Sequence, residues 1–302
     1  MKLPSLFLKI CSVLLSTQIL FAQQLTQTLE NSLFWKIEGK ELKEPSYLFG
    51  TIHLIPASDY FLPDGIIQAI TDSRKVFMEI DVDQMNDLGA MMTLMDKIVM
   101  KNDTSLTDLV NKDEYQLLQS YFEKIGLPLS MFERIKPMFL SAMAGVDGNP
   151  FALKDGSSKS YELELAEIAR THNKEIDGLE SLEFQISIFD SIPYNVQAKM
   201  LLDAVSSAEK GTEEMKFMIQ SYKNQDLNAL NQTVSSEDQH LNPYLEMMLY
   251  NRNKNWIPIM KLEMAKGSNF FAVGAGHLGG DKGVIHLLKN EGFKVSPIKQ
   301  KN

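Results

Sequence analysis

Two copies of one short pattern, Gly-x-x-His, lie at opposite ends of the chain. The first copy is Gly50-Thr51-Ile52-His53 and the second is Gly274-Ala275-Gly276-His277, in a chain with only five histidines. Each copy directly follows an apolar, strand-like run, and glycine lets the backbone turn or approach a neighbour closely. Taken singly, either histidine could be a polar residue in a strand-to-loop turn. As a matched pair they indicate a site, provided that folding brings them together.

A carboxylate completes a candidate metal-binding set. The run Lys75 to Val82 alternates like a strand and puts Glu79 and Asp81 on the face opposite its aliphatic side chains. Two histidines and one carboxylate suit a divalent metal such as Zn, Mn, Fe or Co, with a position left open for water. Such a metal lowers the pKa of that water and polarises a carbonyl, as in amide or ester hydrolysis. Asp81 could orient a histidine. Alternatively, Glu79 is an exposed carboxylate at a strand end.

The elements that must position these residues lie near the two ends of the chain. We expect strands at Leu33–Glu38, Ser46–His53, Lys75–Val82, Lys174–Leu179, Asn269–Val273 and Phe293–Pro297, the first two forming a hairpin. Helical patterns dominate Gln84–Asn149, Lys159–His172 and Ser181–Lys266, with one more helix at Lys282–Asn290. The sequence therefore predicts a helix-rich α+β fold. A central mixed β-sheet is built from the N- and C-terminal segments and covered by the large helical middle region, which brings both motifs and Glu79 together.

Several longer segments resemble one protein family. They are YLFGTIHLIP, VFMEID, IDGLESLEFQ, YNRNKNW and FFAVGAGHLGGDKGVIHLLKNEGFKV, and they span nearly all of the chain beyond residue 22. In order and spacing they resemble the TraB/GumN family, which is related to the Tiki metalloproteases and more distantly to erythromycin esterases and ChaN-type haem-binding proteins. The resemblance implies that His53, His277 and Glu79 are the essential residues. It leaves open which of them ligate a metal and whether Glu79 is a ligand or the general base.

The same resemblance extends to four further polar residues. Arg252 and Asn253 match a recurrent pair, while Glu180 and Gln185 match positions that we expect to line the cleft. Arg252 could clamp a substrate carboxylate or stabilise an oxyanion; alternatively it forms a structural ion pair with an acid such as Glu180. The predicted site therefore has His53, His277 and Glu79 as metal ligands, Glu79, Arg252 and Asn253 as catalytic residues, and Gly50, Gly274, Glu180, Gln185 and Asp81 in the substrate cleft.

The first 22 residues have the pattern of a secretory signal peptide. Lys2 and Lys9 charge the start, a mostly apolar run extends from Ile10 to Phe21, and Ala22 is a suitable cleavage residue. The run is too short and too polar to span a bilayer, and the setting of Cys11 is a poor one for lipid attachment. We expect residues 23–302 to be a single domain, secreted or periplasmic, without a stable membrane anchor.

Composition narrows the possible functions. Removal of Lys2 and Lys9 with the signal peptide changes the formal net charge from −9 to −11, which argues against nucleic-acid binding. Cys11 is the only cysteine, so the processed chain would have no disulfide, no cysteine nucleophile and no cysteine-rich zinc site.

We therefore expect a secreted, metal-dependent hydrolase, a peptidase acting on peptides or proteins with Mn, Co or Zn. The alternative is a non-catalytic protein that binds or sequesters a peptide or haem in the same cleft. The sequence does not determine the oligomeric state.

Overall fold

The computed structural model of the protein describes residues 29–39, 41–86, 88–144, 152–206, 208–236 and 242–299. The predicted signal peptide therefore lies outside the described residues. Within them the strands are β1 (Phe34–Glu38), β2 (Ser46–Thr51), β3 (Leu54–Pro56), β4 (Lys75–Met78), β5 (Ser158–Ser160), β6 (Glu175–Gly178), β7 (Asn269–Gly274) and β8 (Lys294–Pro297). The α-helices are α1 (Ile66–Asp72), α2 (Leu88–Ile98), α3 (Lys112–Lys124), α4 (Pro137–Ala144), α5 (Ala152–Asp155), α6 (Tyr161–Thr171), α7 (Leu182–Phe189), α8 (Tyr194–Ser206), α9 (Ala208–Lys223), α10 (Leu227–Ser236), α11 (Asn251–Lys266) and α12 (Val284–Asn290).

Six strands form one mixed sheet in the order β6-β4-β7-β2-β1-β8. Strand β7, from the C-terminal part of the chain, lies between β2 and β4 and is parallel to both. Strand β1 is antiparallel to β2 and to β8, and β6 is parallel to β4. The predicted α+β class, the N-terminal hairpin and the sheet shared by both ends of the chain are therefore confirmed.

The centre of this sheet is buried on both faces. Four consecutive residues of β7, Phe270 to Val273, are buried, as are Val76, Phe77 and Met78 of β4. The sequences of parallel strands covered on both sides are continuously apolar and do not alternate between apolar and polar residues. The predicted alternation of Lys75–Val82 is thus wrong: the strand ends at Met78, Glu79 lies in a bend beyond it, and a 3-10 helix begins at Val82.

A small second sheet was not predicted. The expected strand Ser46–His53 stops at Thr51, and the chain resumes as β3, which pairs with β5 in antiparallel register. Strand β5 occupies the start of the segment predicted as helix from Lys159. Helix α6 begins only at Tyr161, after the N-cap Ser160, whose side chain accepts a hydrogen bond from the Leu163 N–H. This two-stranded ribbon joins the first Gly-x-x-His motif to the start of α6.

Helices cover the sheet and also form a second apolar cluster. The main core combines the sheet with buried side chains such as Trp256 and Met260 of α11. The second cluster lies among α3, α4 and α8 and includes Phe122, Leu140 and Leu201. The single domain over residues 23–302 stays a prediction. Among the described helices, none combines the length and the apolar character that crossing a membrane requires.

Candidate active site at the ends of the central strands

The two Gly-x-x-His motifs end neighbouring parallel strands. In the β2–β7 ladder, Gly50 pairs with Val273 and Thr51 pairs with Gly274. His53 follows in the loop before β3, and His277 ends the 3-10 turn Ala275–His277. Because parallel strands place their carboxyl ends at one edge of a sheet, both histidines emerge at that edge.

The glycines of the two motifs have different structural roles. A Cβ on Gly50 would lie 2.7 Å from Leu278 Cδ1 and 3.2 Å from Ala275 Cα, so this glycine lets the two motif loops pack together. A Cβ on Gly274 would lie 3.2 Å from Glu79 Oε1, 3.6 Å from His277 Cδ2 and 4.0 Å from His53 Nε2. All three predicted metal ligands therefore have an atom within 4.0 Å of one point, and Gly274 leaves that point free.

The orientation of His277 is fixed by burial and by Asn253. The side chain of His277 is 7% exposed, and its ring packs on Trp256 at a centroid distance of 4.5 Å. The Asn253 amide nitrogen donates to the carbonyl oxygens of Lys282 and His277, which leaves Asn253 Oδ1 as the acceptor for His277 Nδ1 at 2.6 Å. This network assigns the ring proton to Nδ1 and the lone pair to Nε2. Burial lowers the pKa of His277 to about 3, so the ring is neutral at neutral pH.

Glu79 is a buried carboxylate with partners on both oxygens. Oε1 accepts the Gly274 N–H at 2.8 Å and lies 3.6 Å from His277 Nε2. Oε2 accepts from Arg252 Nη2 at 2.5 Å and from Gln185 Nε2 at 3.1 Å. Burial alone would favour the protonated acid, but the surrounding donors and the permanent charge of Arg252 lower the pKa of Glu79. The carboxylate is therefore ionised.

Every nitrogen of the Arg252 guanidinium donates hydrogen bonds to other groups of the protein. Nε donates to Glu180, Nη2 donates to Glu79 and Glu180, and Nη1 donates to the Met248 carbonyl and to His277 Nε2 at 3.1 and 3.2 Å. These contacts occupy all five N–H groups of an arginine. The ion pair with Glu180 that the sequence suggested is present, and in this arrangement no N–H remains for a substrate carboxylate. The Met248 carbonyl belongs to a π-helical turn, Glu246–Tyr250, which directly precedes α11.

His53 is the exposed member of the set. Its side chain is 71% exposed, and its Nδ1 lies 3.1 Å from Glu162 Oε1. The hydrogen bond to Glu162 raises the pKa of His53. Nδ1 faces Glu162, and the other ring nitrogen, Nε2, lies 4.0 Å from the point beside Gly274.

The remaining predicted residues divide into two groups. Glu180 and Gln185 both reach the buried cluster, through Arg252 and Glu79 respectively. Asp81 accepts the backbone N–H of Asp83 instead. The histidine-orienting contact that we expected of Asp81 is made by Asn253 for His277 and by Glu162 for His53.

Two residues of the cluster were missed by sequence reasoning. Trp256 donates from Nε1 to Glu180 Oε2 at 3.0 Å, and its position four residues after Arg252 on α11 is a signal that could have revealed it. Glu162 lies in the first turn of α6, where an acidic residue is expected for its favourable interaction with the helix dipole alone. Its role at the site could therefore not be distinguished from the sequence.

The donor set suits a divalent cation chemically. The two imidazoles direct Nε2 towards the same region, and each holds its Nδ1 against an oxygen acceptor, as metal-binding histidines do. Glu79, Glu162 and Glu180 carry three formal negative charges against two positive charges, one on Arg252 and one on His53, whose pKa the hydrogen bond to Glu162 raises to about 9. As the side chains stand, no three His, Cys, Asp or Glu residues of the described part are close enough together to hold a metal. The exposed His53 ring would have to move inwards, and Arg252 Nη1 would have to release His277 Nε2.

Comparison with known proteins agrees with the family resemblance found in the sequence. A model of the TraB/PrgY/gumN family matches residues 33–297. The chain is similar to the metalloprotease TIKI2 of Danio rerio, with 24% identity over 88% of this chain and 60% of the relative. It is similar to the human metalloprotease TIKI1, with 23% identity over 88% of this chain and 61% of the relative. The chain thus spans about three fifths of the length of these curated relatives. No solved structure gives a significant match.

Proposed function

The chain belongs to the TraB/PrgY/gumN family, and on that premise we propose that it is a metal-dependent hydrolase that cleaves peptides. The observation that carries the proposal is the convergence of His53 Nε2, His277 and Glu79 Oε1 on the point beside Gly274. The names of the relatives, which are metalloproteases, support the reaction class. We also propose that the chain is exported and that its signal peptide is cleaved after Ala22. The proposed substrate is a peptide or protein.

In this proposal His53, His277 and Glu79 hold a divalent ion, with Mn, Co or Zn as the candidates. Such an ion lowers the pKa of water and polarises a carbonyl group. Asn253 keeps the lone pair of His277 on Nε2, and Arg252 keeps Glu79 ionised. Because His277 and Glu79 are buried while His53 is exposed, the substrate approaches over His53.

The test begins with the metal content of protein purified without chelator. Hydrolysis of a peptide mixture should stop with a chelator and return with one of Mn²⁺, Co²⁺ or Zn²⁺. His53→Ala and His277→Ala should each weaken metal binding. His172→Ala is a matched control, because the His172 ring bonds to the Ile168 carbonyl of its own helix. Unchanged metal affinity in both site variants would refute the proposal, and a Soret band with added haem but no turnover would favour the binding-protein alternative.

Glu79→Gln separates the two roles left open for this residue. If Glu79 is a ligand, metal binding and hydrolysis should fall together, since a neutral amide is a poorer ligand for a hard cation. If it is the general base, the metal should stay bound while turnover falls by about 10²–10⁴-fold. Wild-type values of both quantities would remove Glu79 from the site.

Export is tested on the processed chain. Cleavage after Ala22 predicts a secreted or periplasmic form that begins at Gln23, which intact-mass analysis measures directly. A cytoplasmic form that retains residues 1–22 would contradict it.

A further inference from the structure

Glu162 accepts three side-chain hydrogen bonds that its position in the first turn of a helix does not explain. Oε1 accepts from His53 Nδ1 at 3.1 Å and from Thr51 Oγ1 at 2.9 Å, and Oε2 accepts from Ser160 Oγ at 3.1 Å. No Lys or Arg of the described residues forms an ion pair with this carboxylate, whose side chain is 22% exposed. Burial opposes its ionisation, but the hydrogen bonds from His53 and Thr51 lower the pKa of Glu162. The carboxylate is therefore directed at the first Gly-x-x-His motif.

The fold brings Glu162 to His53 through the two-stranded ribbon. In the β3–β5 ladder Leu54 pairs with Ser160, so His53, one residue before β3, lies beside the first turn of α6. A short ladder with fixed register thus sets the distance between imidazole and carboxylate. The two other donors to Glu162 are Thr51, at the end of β2, and Ser160, at the end of β5.

The two histidines differ in what holds them. His277 is fixed by burial, by the Trp256 ring and by Asn253. His53 is exposed, so packing does not restrict its ring, and the contact with Glu162 is the one that orients it. Since Glu162 accepts from Nδ1, a neutral His53 ring keeps its lone pair on Nε2, which lies 4.0 Å from the point beside Gly274.

We propose that Glu162 is a positioning residue that fixes the orientation and tautomer of His53 for binding a divalent metal at the candidate site. This inference rests on the proposed function for its consequence, while the contact itself stands independently of it. Carboxylates that hold a ligating histidine in this way contribute about 10–100-fold to metal affinity.

The experiment compares Glu162→Ala and Glu162→Gln with Glu164→Gln. Glu164 is a matched control, because it lies in the same first turn of α6 and pairs with Lys159 on the surface. Binding of Zn²⁺ and Co²⁺ alone is measured by calorimetry. We expect about 10–100-fold weaker binding in Glu162→Ala, a smaller loss in Glu162→Gln, which keeps an acceptor oxygen, and wild-type binding in Glu164→Gln.

A second measurement does not depend on metal. Nitrogen chemical shifts of ¹⁵N-labelled histidine in the metal-free protein report the tautomer of His53, provided that the pH is above the raised pKa of about 9 so that the ring is neutral. The wild type and Glu164→Gln should carry the proton on Nδ1, whereas Glu162→Ala should show a mixture of tautomers. A wild-type tautomer and wild-type metal affinity in both Glu162 variants would overturn the inference. If the wild type binds no metal, the proposed function fails, yet the tautomer still decides whether Glu162 positions His53.

Discussion

Replacing Arg252 by methionine tests whether this cation belongs to the folded framework or to substrate binding. Its guanidinium forms ion pairs with both Glu79 and Glu180, whose side chains are 9% and 5% exposed. Removing one partner of a buried ion pair costs about 3–5 kcal/mol, because the remaining charge is buried without compensation. Two carboxylates lose their partner here, so we expect a loss at the upper end of that range. This is a large share of the roughly 5–15 kcal/mol that stabilises a typical protein.

The assay is urea denaturation at neutral pH, followed by far-UV circular dichroism. The double variant Arg252→Met/Glu180→Gln should recover about 1–3 kcal/mol of the stability lost in Arg252→Met, because it also removes one of the two carboxylates left without a cation. Arg74→Met is the matched control, because the Arg74–Glu263 pair is partly exposed and should contribute about 1 kcal/mol or less. If Arg252→Met kept wild-type stability and raised only KM, the guanidinium would be a substrate contact and our reasoning would be wrong.

Three further predictions concern the same edge of the sheet. The backbone φ of Gly274 is −52°, which alanine can adopt, so Gly274→Ala should fold. It should weaken metal binding at least about tenfold, because its methyl would lie 3.2 Å from Glu79 Oε1. Gly89→Ala in α2 is the control, and wild-type calorimetric affinity in Gly274→Ala would show that the metal does not bind at the point beside Gly274. Gly50→Ala should cost about 1–3 kcal/mol in urea denaturation through overpacking against Leu278, and an unchanged midpoint would exclude the close approach of the two motifs. The pKa of Glu79 is lowered in the folded protein to about 2, so its stabilisation is present above its unfolded pKa of about 4.3 and is lost as the pH falls through the folded value. The difference in unfolding free energy between wild type and Glu79→Gln should therefore shrink from about pH 5 towards pH 2, and a constant difference would argue against an ionised Glu79.

The sequence was sufficient for the elements with the strongest local signals. Apolar runs that end in Gly-x-x-His predicted β2 and β7, and the β-rich ends around a helical middle predicted a sheet shared by both ends of the chain. The same runs could not give the strand order, because register and neighbours in a sheet depend on contacts distant in sequence. The alternation expected in β4 was wrong for a related reason: a strand buried on both faces loses the period that marks a half-exposed one.

The sequence by itself determined which side chains could perform chemistry here. The two motif histidines were visible from their settings, whereas the family resemblance singled out Glu79 and the Arg252-Asn253 pair. Only the tertiary structure decided how they are held. Asn253 and Trp256 fix the His277 ring, and Arg252 donates to Glu79 and Glu180. The β3–β5 ribbon brings Glu162 to His53. The physical reason is that hydrogen-bond partners are selected by distance and direction within a few ångströms. Residues more than a hundred positions apart, such as His53 and Glu162, acquire that proximity only when the chain folds.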